Sequence, residues 1–219
     1  MSDLYNHNVK TLYDAMDQSV KRIGIIQTNI ANSHTVGFKS IHPDSVMFSD
    51  VMSDVFRDEE QGVLEKTNHK LDLALTKAGA YFMVEGPDGK PERTRDGQFH
   101  LNRDGKIVDI QDRELVVLDQ QINKPEYAEL AKGGNIKINQ NGHIHVNGTF
   151  IGRIAIDYEA QPGEKVHVMQ GSLETSNVDL SSNVTKILQV KRHIDTVQNV
   201  LSMQLGVDKA LIETYGRNL

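Results

Sequence analysis

Proline and glycine are confined almost entirely to the middle of this chain, and that confinement limits what its ends and its centre can become. All five prolines (Pro43, Pro87, Pro91, Pro125, Pro162) and all but four of the 17 glycines fall between residues 41 and 176. Both residues break helix interiors, proline by removing an N–H donor and glycine through its backbone entropy. The two ends are therefore free to form long helices, whereas the middle is restricted to short elements joined by turns. Charge divides the chain at the same places. Residues 1–40 and 177–219 each carry about +1 and the middle carries −8, for a total of −6.

Near the N-terminus Tyr5, Val9, Leu12, Met16, Val20, Ile23, Ile26 and Ile30 recur at spacings of three and four. They form one narrow apolar stripe whose period is close to the roughly 3.5 residues of a coiled-coil seam. From Val184 the C-terminal segment repeats the pattern through Ile187, Val190, Ile194, Val197, Leu201 and Leu205. Asn177 or Asp179, preceded by Ser176, can cap this second helix. At about 1.5 Å per residue, either helix would be roughly 40–50 Å long. One narrow stripe cannot bury a lone helix of that length, because helices in proteins depend on tertiary packing. The ends are expected to need each other and further copies of themselves.

The middle reads as β-structure. Asp-Gly recurs at 88–89, 96–97 and 104–105, and Asn-Gly at 141–142 and 147–148; both dipeptides favour tight turns between strands. Strand-like runs lie between and around them at 71–75, 80–84, 98–101, 114–118, 136–138, 144–146 and 150–156. The expected class is therefore α+β. Long helices within 1–40 and 177–219 pair as a coiled-coil-like axial domain, 41–70 is a connector, and 71–176 is an inserted antiparallel all-β domain.

Composition removes several function classes. The acidic balance gives no reason to expect nucleic acid as a partner. The longest apolar runs are far short of the roughly 20 residues of a membrane span, so no membrane insertion is expected. The first residues lack the basic start and apolar stretch of a cleaved secretory signal. There is no cysteine, which excludes disulfides and thiolate chemistry. His143 and His145 would share one face of an expected strand and could begin a metal site, but no third ligand is placed by sequence. A solvated hairpin face is the plainer reading. Neither phosphate-loop nor nucleophile-elbow patterns occur. No catalytic, cofactor or metal residue is assigned.

Asn29-Ile30-Ala31-Asn32-Ser33-His34-Thr35-Val36-Gly37-Phe38-Lys39 closely resembles the signature that ends the N-terminal helix of flagellar rod and hook proteins. Asn32 to Thr35 can form a capping turn, Gly37 permits a positive φ, and Phe38 can anchor the departing chain. Three further segments follow in the family's order: Leu71 to Leu75 with Gly79 to Val84, Thr94 to Phe99 with Asp104 to Val108, and Gln170 to Asp179. Departures are Ala80-Tyr81-Phe82 for the usual Gly-Phe-Phe and Val190-Lys191-Arg192 near the family's "QR" position.

On these motifs the chain is identified as a member of the flagellar basal-body rod protein family, similar to its proximal-rod or distal-rod members. The resemblance implies a non-enzymatic, self-associating subunit located in the basal body and exported by the flagellar type III apparatus without a cleaved signal. Its partners would be copies of itself, other rod and hook axial proteins, and the export apparatus. The short link from Ile156 to Gly171 favours the proximal rod over the distal rod or hook. Leu12, Met16, Ile23, Ile30, Asn32, Gly37, Phe38, Ile187, Ile194, Val197 and Leu201 are the expected assembly residues. A coiled-coil adaptor with an inserted β domain, and a hydrolase built on His143 and His145, are the rival readings.

Overall fold

The computed structural model describes residues 2–43, 55–119, 134–159 and 164–216. The chain forms two compact units. One comprises Met1–Ala31, Ile41–Arg57 and Asp179–Leu219, and the other comprises Asn32–Ser40 and Asp58–Val178.

The first, helical unit contains α1 (Ser2–Ala31), α2 (Leu180–Gly216) and a two-stranded antiparallel pair, β1 (Ile41–Pro43) with β2 (Val55–Arg57). Asp179 caps α2, its Oδ1 accepting the Ser182 N–H at 3.1 Å, which satisfies one of the unpaired donors of the first turn. Asn29 ties α1 to β1 in both directions. Its Nδ2 donates to the Ile41 carbonyl at 2.7 Å, and its Oδ1 accepts the Ile41 N–H at 2.9 Å.

The second unit is antiparallel β-structure: β3 (Leu64–Lys66), β4 (Leu73–Leu75), β5 (Tyr81–Glu85), β6 (Pro91–Thr94), β7 (His100–Leu101), β8 (Ile107–Val108), β9 (Val117–Leu118), β10 (Ile136–Ile138), β11 (His143–Val146), β12 (Thr149–Ile154), β13 (Ile156–Asp157), β14 (Val168–Gln170) and β15 (Ser172–Glu174). The β11–β12 hairpin turns through Asn147 and Gly148, both with positive φ (52° and 88°), as a primed turn requires. The pairing of late with early strands places the functional residues. β13, β14 and β15 pair with β5, β4 and β3, in reverse order, so the end of the unit runs back along its beginning. A core of alternating inward residues, among them Leu73, Leu75, Phe82, Phe99, Ile144 and Ile151, lies beneath these strands, with Phe82 and Phe99 edge to face at 5.4 Å.

The fold class differs from the α+β expectation. The described residues hold one helix at the N-terminal end and one at the C-terminal end, with fifteen short antiparallel strands between, so most of the described elements are β. The helices do not form a coiled coil. A knobs-into-holes seam would bury the apolar stripe along its length, yet Val20 is 60% exposed, Val184 46% and Leu205 51%. On α1 the buried positions are Ser19, Ile26 and Asn29, so Ile26 is the one stripe residue fully covered and the other two are polar residues outside the stripe. The Asn29 anchor to β1 helps set which flank faces inward, and the heptad-like period does not. Gly97 also behaves differently from a turn glycine. Its φ is not positive, and a Cβ there would lie 1.7 Å from the Leu73 carbonyl oxygen, so close backbone approach requires it.

Candidate functional site

The signature segments converge within the β unit on one buried carboxylate, Glu174. Its Oε1 accepts Lys39 Nζ at 2.7 Å and the Gly62 N–H at 2.9 Å, and its Oε2 accepts Arg95 Nε at 2.7 Å and Nη2 at 2.6 Å. The side chains of Lys39, Arg95 and Glu174 are 3%, 2% and 1% exposed. The remaining donors are also used. Lys39 donates to the Glu60 carbonyl at 2.6 Å, and Arg95 donates to the carbonyls of Leu75 at 3.1 Å and Ala80. A buried ion group tolerates its desolvation only when its hydrogen bonds are satisfied in this way.

Backbone contacts close the same junction. The Gly37 N–H donates to the Glu174 carbonyl at 2.8 Å. Asn177 Oδ1 accepts the Ser40 N–H at 2.7 Å, and its Nδ2 donates to the carbonyls of Asp58 and Glu60, each at 3.0 Å. Gly37 has φ +66°, and a Cβ on it would meet the Arg95 carbonyl oxygen at 2.4 Å, so no other residue fits there. The arrangement leaves no carboxylate oxygen or cation poised for proton transfer. It fastens the segment entering the unit after α1 to the segment leaving it before α2.

The expected assembly residues divide between the two units. Leu12, Met16, Ile23, Ile30, Ile187, Ile194 and Leu201 are half-buried on the helices, and Val197 is buried. Asn32, Gly37 and Phe38 belong to the β unit, where the Thr35 N–H donates to the Asn32 carbonyl at 3.1 Å and its hydroxyl to Asn32 Oδ1 at 3.0 Å. The sequence reading passed over Lys39, Arg95, Glu174 and Asn177 as site residues. A signal was present, since each signature carries a charged or amide side chain among apolar and small residues. Nothing local, however, says which carboxylate meets which cation.

His143 and His145 do share a face, and both rings lie edge-on to Phe150, at 5.4 and 5.6 Å. They are half-buried packing residues around that ring. Elsewhere on the unit Glu164 is held below the usual carboxylate range by its hydrogen bonds from Lys77 and Tyr158. Burial raises the Asp96 carboxyl above that range, against the Gln98 N–H donated to its Oδ1 at 3.0 Å.

Known proteins are similar to this chain in sequence. A family model described as the flagellar hook protein FlgE/F/G D1 domain matches residues 77–146, which lie inside the β unit. The flagellar basal-body rod protein FlgF of Rhizobium meliloti (strain 1021) is 32% identical, covering 94% of this chain and 97% of that protein. The chain belongs to the flagellar basal-body rod protein family. FlgF of Mesorhizobium japonicum is 24% identical over 94% of the chain and 98% of that protein. FlgG of Buchnera aphidicola subsp. Acyrthosiphon pisum is 24% identical over 81% and 87%. Membership in a family of structural rod proteins agrees with the expected location at the flagellar basal body. Among the described residues, no helix of this rod protein is long and apolar enough to cross a membrane.

Proposed function

We propose that this rod protein is a structural subunit of the flagellar basal-body rod, exported through the flagellar type III apparatus and polymerised through its two terminal helices. The observation that carries the reading is the likeness to a basal-body rod protein along nearly the whole of both chains. The helices support it physically. Tyr13 and Val20 on α1, and Leu180, Val184 and Leu188 on α2, remain exposed in the single chain, and burying apolar surface of this kind against neighbours drives association. Its partners are then copies of itself, other rod and hook axial proteins, and the export machinery. Likeness to FlgF proteins over the full length favours a proximal position; likeness to a FlgG protein keeps the distal rod as the second reading.

Purified hook–basal bodies test this directly. The wild-type chain should be found in them, and it should reach the medium of a rod-defective strain with its N-terminus uncut, only while the flagellar export gate works. Ile194→Asp should leave the β unit folded and abolish incorporation, because it puts a charge into a contact that assembly desolvates. Normal incorporation of Ile194→Asp subunits would remove the α2 stripe from the polymer interface. Absence of the wild-type chain from hook–basal bodies would refute the rod assignment itself.

A further inference from the structure

An open cleft of about 660 Å³ lies in the β unit along β10 and the tip of the β11–β12 hairpin. Asn135, Lys137, Asn139 and Asn147 line it, all four exposed, while His145 in the same wall turns its ring to Phe150. Hydrogen bonds within the unit fix which way each amide faces. Asn135 Oδ1 accepts Lys70 Nζ at 3.1 Å, and Asn147 Oδ1 accepts the Asn135 N–H at 2.9 Å. Asn139 Oδ1 accepts the N–H groups of Asn141 and His143 at 3.0 and 2.9 Å. Each of these side-chain oxygens is engaged, whereas the three Nδ2 groups donate to nothing among the described residues. Gln170, also in the wall, has both ends in use. Its Oε1 accepts the Ile138 N–H at 3.0 Å, and its Nε2 donates to the carbonyls of Lys70 and Ile136 at 2.7 and 3.1 Å. Lys137 forms no ion pair among the described residues, and no carboxylate lines the cleft.

Three amide donors around a free ammonium call for a group that accepts hydrogen bonds and carries negative charge. A carboxylate does both: it offers two oxygens and no donor, and its bonds to an ammonium are charge-assisted. A sugar hydroxyl needs acceptors as well as donors, and the side-chain oxygens here are engaged. The lack of acid in the cleft contrasts with the middle of the chain, residues 41–176, which carries −8. Copies of so acidic a unit repel one another when packed side by side, unless the carboxylates of one are received by such a patch on the next. We infer that the cleft is a contact between subunits, in which Lys137 and the Nδ2 groups of Asn135, Asn139 and Asn147 receive carboxylate side chains from the β unit of a second copy. Asn135 and Asn139 are four residues apart, about 13 Å along a strand, which admits carboxylates from alternate positions of an extended segment. The presenting and receiving surfaces differ, so the contact is head-to-tail and propagates as helical assemblies do. It rests on the rod reading above and gives copies a second place to meet besides the helices.

In competition with wild type for places in hook–basal bodies, Lys137→Glu should fall to roughly a tenth or less, because like charges then meet across the contact. Lys137→Arg keeps the charge and should compete as wild type does. The side chain is exposed, so both isolated variants should keep the wild-type denaturation midpoint. A cross-linker outside the cleft gives an independent reading. Gln140→p-benzoylphenylalanine, exposed on the turn after Asn139, should on irradiation of hook–basal bodies link to an Asp- or Glu-bearing segment within residues 58–178 of a second copy. If Lys137→Glu lowers the midpoint, these links decide alone. Equal incorporation of Lys137→Glu and wild type, or equal failure of Lys137→Arg, would overturn the contact. Links that are missing, that run only to the terminal helices, or that reach a different protein would overturn it as well and leave the rod reading standing. Wild-type chain missing from hook–basal bodies would instead overturn the rod reading.

Discussion

The β unit and the helical unit hold themselves together in different ways. In the β unit, side chains from strands far apart in sequence interdigitate until Leu75, Phe82, Val84, Ile144, Val146 and Ile151 have no solvent exposure. The helices, although longer than any strand, bury only Ile26 and Val197 among the apolar side chains described, and leave Tyr13, Val20, Leu188 and Met203 more than half exposed. A closed core stabilises one chain regardless of its neighbours. Half-covered helices gain most of their burial from whatever binds next to them. The difference teaches that stability and assembly are assigned to separate parts of this molecule, with Glu174 fastening the two chain crossings of the stable part.

The hardest test of that division is Glu174→Ala. It would leave Lys39 and Arg95 buried without a counter-charge, a change that costs about 3–5 kcal/mol in comparable buried pairs. The denaturation midpoint of the β unit should fall accordingly, and a loss under about 1 kcal/mol would mean that water replaces the carboxylate and the junction is not a fastening. Next comes a paired truncation. Ile144→Ala, at a fully buried site, should cost about 2–5 kcal/mol. Ile23→Ala, on the half-buried helix face, should cost about 1 kcal/mol or less in the isolated chain. Equal costs in urea titrations would erase the distinction between the regions.

A smaller effect is expected from the double change His143→Ala with His145→Ala. A bare surface pair would cost no more than about 0.5 kcal/mol, but losing two edge contacts to Phe150 raises the expectation to roughly 1 kcal/mol. Motility should be unaffected, and stoichiometric metal in the wild type that disappears in the variant would contradict a packing role. The smallest effect belongs to Asp96→Asn. Burial raises this carboxyl above its unfolded value, so the folded state favours the protonated form. Wild type and variant should match in acid, and the wild type should become the less stable as pH rises from the ordinary carboxylate range past the raised value. A difference that shrinks over that interval would reverse the assigned cause.

Several elements were legible from local pattern. The strand-like runs at 80–84, 136–138, 144–146 and 150–156 coincide with β5, β10, β11 and β12 within a few residues. The glycines of four of the five turn dipeptides, Gly89, Gly105, Gly142 and Gly148, have the positive φ that their turns require. Such features depend on residues one to four apart, which is the range that side-chain alternation and turn chemistry report. The coiled-coil expectation failed because a period shows which helix face is apolar, and not which flank meets a polar anchor such as Asn29 with Ile41. Glycine at 97 was legible as a breaker, but its steric reason lies in the Leu73 backbone, which only folding brings alongside.

The sequence by itself determined where helices could exist, where the chain had to turn, which side chains alternate inward, and which family signatures it carries. Tertiary structure alone decided that Lys39 and Glu174, 135 residues apart, share one hydrogen bond with Arg95 on the other oxygen, and that Asn183 is left with an unanswered acceptor. The physical reason is that propensity and turn chemistry act along the chain, whereas desolvation and charge pairing act through space. Which charges are buried together depends on the reverse-order return of β13 to β15, and no local pattern encodes it.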